Sequence, residues 1–179
     1  SDQLVDFLHK IYSQCDATLG HGQKASAMNV PPHDPAWVGK MLAFLHREKM
    51  LTGGNSILNQ IKNLPLIPLS SGQWVSAENG PIYRDTGEMQ DSGFHGKLLI
   101  VHPDIFDDRN SVPVCSALRL LQVEVAKPKN IIEKHIIPAF SMETNRDVIG
   151  AYLIFLCDNY TDLSESLKLK LFQELHFSG

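Results

Sequence analysis

Apolar residues in the N-terminal third recur at helical spacing. Leu4, Val5, Leu8, Ile11 and Tyr12 share one face, with Asp6, Lys10 and Gln14 opposite. This predicts a first helix that stops near Leu19-Gly20, where glycine takes the left-handed conformation of a helix end. Residues 20–35 lose the pattern, and His21-Gly22 and Pro31-Pro32 mark a long loop. Asp34-Pro35 restarts a helix as N-cap and first helical residue, with Trp37, Val38, Met41, Leu42 and Leu45 as its stripe. That helix ends before Gly53-Gly54, and a short helical stretch runs from Ser56 to Lys62.

The pattern then changes period. Leu66-Ile67-Pro68-Leu69, the turn Ser70-Ser71-Gly72-Gln73 and Trp74-Val75-Ser76 predict a β-hairpin. Pro68 argues that its arm is an edge or a bulged strand, because proline donates no ladder hydrogen bond. Asn79-Gly80 is a second turn and Pro81-Ile82-Tyr83 a third strand. Residues 85–96 are polar and glycine-bearing, which predicts a mobile loop and hinge. Leu98-Leu99-Ile100-Val101 is a continuous apolar run, as in a strand buried on both faces.

Helical periodicity returns from His102 onward. A helical turn follows Pro103, a helix opening at Ser111 or Pro113 carries Val114, Leu118 and Leu121, and Lys127-Pro128 starts another, which Pro138 stops. Thr144 or Asn145 caps an apolar helix through Leu156. Asp162 or Ser164 opens a last one with Leu167, Leu171, Phe172 and Leu175 on one face. The expected fold class is α+β, predominantly helical with a small central antiparallel β-hairpin or sheet. Residues 1–62 are expected to be helical, residues 63–102 to form a β-containing centre, and residues 103–179 to be helical again, all within one continuous unit.

Length and composition fit that expectation. A chain of 179 residues with 43% hydrophobic and 20% charged residues builds its own core without a metal or disulfide staple. A net charge of −4 disfavours a nucleic-acid surface spread over the domain. Cys15, Cys115 and Cys157 are scattered and odd in number, which points to reduced thiols and an intracellular location. No apolar run approaches the ~20 residues a membrane-spanning helix needs, and Asp2 and Asp6 stand where a signal peptide would be basic. Both ends of the chain read as boundaries inside a longer protein.

The search for chemistry finds no assembled site. None of the eight histidines forms HExxH, HxH or a Cys/His set. His21, His33 and Asp34 would make a metal site only if the long loop folded them together, and a solvated loop is the expectation. Asp104, Asp107 and Asp108 lack the glycine and closing glutamate of a calcium loop. No serine sits in a GxSxG elbow, and neither GxxxxGK[ST] nor GxGxxG occurs. Gly20-His21-Gly22-Gln23-Lys24 offers backbone amides to an anion but lacks the Ser/Thr of a phosphate cradle. Lys127, Lys129 and Lys134 form the densest basic cluster, without interleaved aromatics. His135, between Ile132 and Ile136, is expected to be a helix-surface or half-buried residue hydrogen-bonded to its surroundings. No catalytic residue, cofactor or metal is therefore expected.

One stretch carries a resemblance. Asn63-Leu64-Pro65-Leu66-Ile67-Pro68-Leu69-Ser70-Ser71-Gly72-Gln73-Trp74-Val75-Ser76, with Gly80-Pro81-Ile82-Tyr83, resembles the hairpin and following strand found downstream of the ATPase domain in NO VEIN-like and sacsin-like large proteins. Ala117-Leu118-Arg119-Leu120-Leu121-Gln122-Val123 and the segment from Ile131 to Phe140 resemble the leucine-rich helix and the "ile-ile-x-x-his-ile-x-pro" segment of the same proteins. Where those often have glycine, this chain has Gln122. The resemblance spans residues 60–175 and implies a middle region of a large protein whose ATPase is of the GHKL, heat-shock-chaperone-like type. The ATPase's own nucleotide motifs are not in this chain.

The expected function is a non-catalytic structural or interaction module, with neighbouring domains of the same chain and a protein client as partners. Trp74 and the loops 20–34 and 85–96 would then supply the contact surface. Two alternatives stand beside it. A winged-helix nucleic-acid module is disfavoured because the hairpin carries no Lys or Arg between Leu64 and Tyr83. An accessory role would have Lys24, Arg84 or Lys97 reach a phosphate bound by a neighbouring ATPase domain.

Overall fold

The computed structural model describes residues 6, 34–51, 56–87, 89, 92–140 and 142–176. Apart from Asp6, which is helical and exposed, the first predicted helix lies outside the described residues, as do the loop 20–33 with Lys24 and Gly53-Gly54. The fold is α+β and predominantly helical, with few and short strands. The chain divides into two compact units, residues 1–82 with 100–123, and residues 83–99 with 124–179.

In the first unit, helix α1 (Pro35–Arg47) begins where the sequence predicts. Asp34 is extended, and its Oδ1 accepts the Trp37 N–H at 2.6 Å. Val38, Leu42 and Leu45 of its stripe are fully buried. Gly39 meets the backbone of the short 3₁₀ turn Pro103–Ile105, an approach that a side chain would block. Helix α2 (Ser56–Lys62) leads to the hairpin of β1 (Ile67–Pro68) and β2 (Trp74–Val75), antiparallel with Ile67 opposite Val75 and Pro68 opposite Trp74. Gly72 turns it at φ +82°.

Pro68 is not on an edge. Leu69 bridges to Val101 on the side away from β2; the Pro68 carbonyl accepts the His102 N–H, and the Ser70 N–H donates to the Ile100 carbonyl, both at 2.8 Å. An antiparallel pair would also need a Pro68 N–H donating to the His102 carbonyl. That carbonyl instead accepts the Ile105 N–H, so proline leaves no acceptor stranded.

Helix α3 (Ser111–Leu120) packs on α1. Both helices end alike, with paired backbone bonds of the Schellman type. Lys49 and Met50 donate to His46 and Leu45, and Gln122 and Val123 donate to Arg119 and Leu118. The residue that turns left-handed is Lys49 (φ 56°) in one and Gln122 (φ 66°) in the other.

Strand β3 (Ile82–Arg84), whose Tyr83 and Arg84 belong to the second unit, pairs in parallel with β5 (Glu124–Val125), Tyr83 opposite Glu124 and Arg84 opposite Val125. Together with β4 (Leu99–Ile100) they form a sheet of order β4-β3-β5. Strand β5 was not anticipated from sequence; two residues between helices leave no periodicity to read.

Helix α4 (Pro128–Ile131) opens into a π turn (Ile132–Ile136) and continues as α5 (Ile137–Phe140). Pro138 therefore does not stop this helix. The Ile137 N–H donates to the Ile132 carbonyl five residues back, and this widened turn makes room for a residue that lacks an N–H and crowds the preceding turn. Helix α6 (Arg146–Asn159) is capped by Asn145, whose Oδ1 accepts from Asp147 and Val148. A 3₁₀ turn (Tyr160–Asp162) leads to α7 (Glu165–His176). Leu167 and Leu171 are buried as expected, but Phe172 is 61% exposed.

Candidate functional site

Among the described residues, a polar and aromatic cluster lies in the second unit, around Phe94. The segment 85–96 reads as polar in sequence, yet Phe94 is 2% exposed and Met89 fully buried. The Phe94 ring lies nearly parallel to the His135 ring (18°, centroids 6.1 Å apart). It meets Tyr152 and Phe155 edge-on at 4.9 and 5.3 Å. His135 projects from the π turn, and its Nε2 is 3.1 Å from the Tyr152 hydroxyl. Pro138 and the π turn thus determine where this ring lies, and Asn145 fixes the start of the helix that brings Tyr152 to it.

Beside this pair, the Lys97 ammonium donates to Glu143 Oε2 at 2.5 Å. The other oxygen of Glu143 accepts the Thr144 and Asn145 N–H groups at 3.0 and 2.9 Å, just ahead of α6. The hydrogen bond to Glu143 raises the Lys97 pKa, and the same bond, with the backbone donors, lowers that of Glu143. Burial, and then the Lys97 charge, hold His135 below the ordinary imidazole value, with Glu143 opposing. Burial raises the Tyr152 phenol.

A second set of polar groups includes Tyr83 of β3 and Glu124 of β5. Tyr83 is fully buried, its hydroxyl has no hydrogen-bond partner, and burial first and the nearby Glu124 carboxylate second raise its pKa. Glu124 is paired with Lys134. His95 Nε2 is buried 3.5 Å from Asp85 Oδ2 without a hydrogen bond. Among the described residues, no three His, Cys, Asp or Glu side chains gather as a metal ion requires.

The residues singled out from sequence fall in different places. Trp74 is half-buried in β2 of the first unit. Arg84 and Lys97 both belong to the second. Arg84 is half-buried in β3, its carbonyl accepting the Ala126 N–H at 2.9 Å. Lys97 is the one the cluster contains, and it is held by Glu143. Lys24 lies outside the described residues. His135 is half-buried and hydrogen-bonded, the second of the two settings that its sequence position leaves open. Phe94, Glu143 and the role of Tyr152 were missed. The one signal available was Phe94 itself, a large apolar side chain alone in a polar stretch.

Chemically, the cluster holds its own groups. Each charged or titratable side chain in it meets another member, and the arrangement is that of a polar joint between the 92–98 segment and helices α4 to α6.

The outward face of α6 differs in character. Leu153 and Ile154 are 43% and 65% exposed, Cys157 lies one turn on, and Tyr160 follows at 51%. On α7, Leu169 and Phe172 are 59% and 61% exposed. Among the described residues no helix is long and apolar enough to cross a membrane. Comparison with protein-family models, with curated proteins and with solved structures found no match.

Proposed function

We propose that this chain is a non-catalytic structural and interaction module of a large intracellular protein, in keeping with the resemblance of its hairpin and helices to NO VEIN-like and sacsin-like proteins. The observation that carries the reading is the apolar outer face of α6. Leu153 and Ile154 are both exposed on it, Ile154 opposite the buried Val148, Tyr152 and Leu156 and Leu153 on the flank, with exposed Cys157 one turn on; Tyr160, in the 3₁₀ turn that follows, carries the Lys168 ammonium over its ring. Isolated exposed apolar residues are ordinary, but a run along one face costs solubility unless something covers it. The occupant proposed is a neighbouring module of the same polypeptide, the partner that the resemblance implies.

The polar cluster supports the same reading from the other side. Its lysine is engaged by a carboxylate that also accepts two backbone donors, an arrangement that positions structure. A basic residue reaching a neighbour's phosphate would need its ammonium available, and Lys97 would first have to leave Glu143.

The test is to replace Ile154 and Leu169 together with lysine. The double variant is expected to keep the helical circular dichroism and thermal midpoint of the wild type within a few degrees, and to lose binding to the adjoining module. Unchanged binding would remove the reading. Nucleotide turnover by the chain alone, abolished by Lys97→Ala, would replace it with an enzymatic one.

A further inference from the structure

Residues 92–98 are fastened to their unit through Phe94, Lys97 and Gly93. Phe94 is inserted among His135, Tyr152 and Phe155, Lys97 is tied to Glu143, and Gly93 sits so near Ala151 that a β-carbon there would lie 3.0 Å from the alanine methyl. Of the two histidines at this joint, His95 and His135, His135 is the one whose ring stacks on Phe94, and an imidazole ordinarily titrates near neutral pH. We propose that His135 makes the docking of residues 92–98 pH-sensitive: a neutral ring holds Phe94 in place, and a proton on the ring loosens it.

The surroundings set the direction. From α6 the ring faces Tyr152, a neutral phenol kept so by burial. From the 92–98 segment it faces Phe94, with Lys97 close enough to disfavour a second positive charge. Glu143 favours protonation, but its carboxylate already accepts Lys97 and two backbone N–H groups. On its own turn His135 is flanked by Glu133 and Lys134, and Lys134 is paired with Glu124. His95, next to Phe94, approaches Asp85. A charged, half-buried imidazole beside an ammonium is thus worse placed than a neutral one. The strain is relieved when the segment carrying both Phe94 and Lys97 moves off and water reaches the ring.

The experiment is amide hydrogen exchange of the wild-type chain, corrected for the intrinsic pH dependence of exchange, alongside NMR titration of the His135 ring. Opening of residues 92–98 is expected to increase severalfold as pH falls below the ordinary imidazole range while the amides of α6 stay protected, with a midpoint matching the ring titration. His135→Phe keeps a flat ring that cannot titrate and is expected to show no such increase; His95→Gln is expected to retain it. A flat profile in the wild type would overturn the proposal. So would an increase confined to below about pH 4.5, where Glu143 takes up its proton, or an equal increase in His135→Phe. Should His135→Phe not fold, a mismatch between the exchange midpoint and the ring titration in the wild type overturns it equally.

Discussion

Gly39 faces Ile105 so closely that a β-carbon on the glycine would stand 2.0 Å from the Ile105 carbonyl oxygen. The contact is backbone against backbone, so no side chain can rotate away. It explains how α1 and the Pro103–Ile105 turn come together, and Gly39 is therefore required despite its poor helix propensity. Gly39→Ala is expected to cost about 2–3 kcal/mol through overpacking, outweighing the ~1 kcal/mol that alanine gains in a helix. Gly150→Ala, in α6 with open space around the added carbon, is expected to stabilise by up to about 1 kcal/mol. Denaturant melts of the two variants, moving in opposite directions, check this.

Helices α1 and α3 end on left-handed residues that are not glycine. Lys49→Gly and Gln122→Gly remove a β-carbon penalty of about 1–2 kcal/mol, part of which the greater freedom of glycine in the unfolded chain returns. Each is expected to stabilise by roughly 0.5–1 kcal/mol, read as a higher denaturation midpoint at unchanged slope. A loss of stability would mean that the side chain makes a compensating contact.

Tyr83 buries a hydroxyl without a partner, which costs on the order of 1 kcal/mol or more. Tyr83→Phe is expected to be neutral or stabilising by about 1 kcal/mol in a thermal or denaturant melt. Because the folded pKa of Tyr83 lies above its ordinary 10.0, the unfolded chain ionises first and stability falls as pH rises past about 10. The variant is expected to lose part of that alkaline decline.

In acid, two groups act in succession. The folded pKa of His135 is below its ordinary 6.5, so the unfolded chain binds the proton first and stability declines as pH falls through that value. Glu143, also lowered from its ordinary 4.5, adds a second decline as pH falls below that value and through its folded pKa. Thermal midpoints across this range are expected to show the first decline vanish in His135→Phe and the second in Glu143→Gln.

Much of the fold was legible because its signals are local. Asp34-Pro35 and Asn145 announce helix starts through one capping oxygen each, and Ser71-Gly72 announces the hairpin through a positive φ. What sequence periodicity missed depends on partners distant along the chain. Pro68 looks like an edge residue until the Ile105 N–H takes the carbonyl that proline cannot serve. Pro138 looks like a stop until a π turn absorbs it. Phe94 sits in a polar stretch, and only the positions of His135, Tyr152 and Phe155 make it core. Phe172 matches the apolar stripe of α7 but faces outward, a fact of packing that spacing alone does not contain. Of the candidate site, His135 was legible as hydrogen-bonded, on the helix surface or half-buried, whereas its partner Tyr152 was hidden inside an apolar run.

The α6 face is tested most directly by Cys157, which is exposed one turn from Leu153 and Ile154 and so serves as a native reporter. Its rate of alkylation is to be measured by mass spectrometry in the isolated chain and in the longer polypeptide proposed to surround it. Fast labelling in the isolated chain and labelling slowed about tenfold or more in the longer one are expected, as for a surface covered by a stable neighbour. Equal rates in both would contradict the account, since the face would then be open in its native setting.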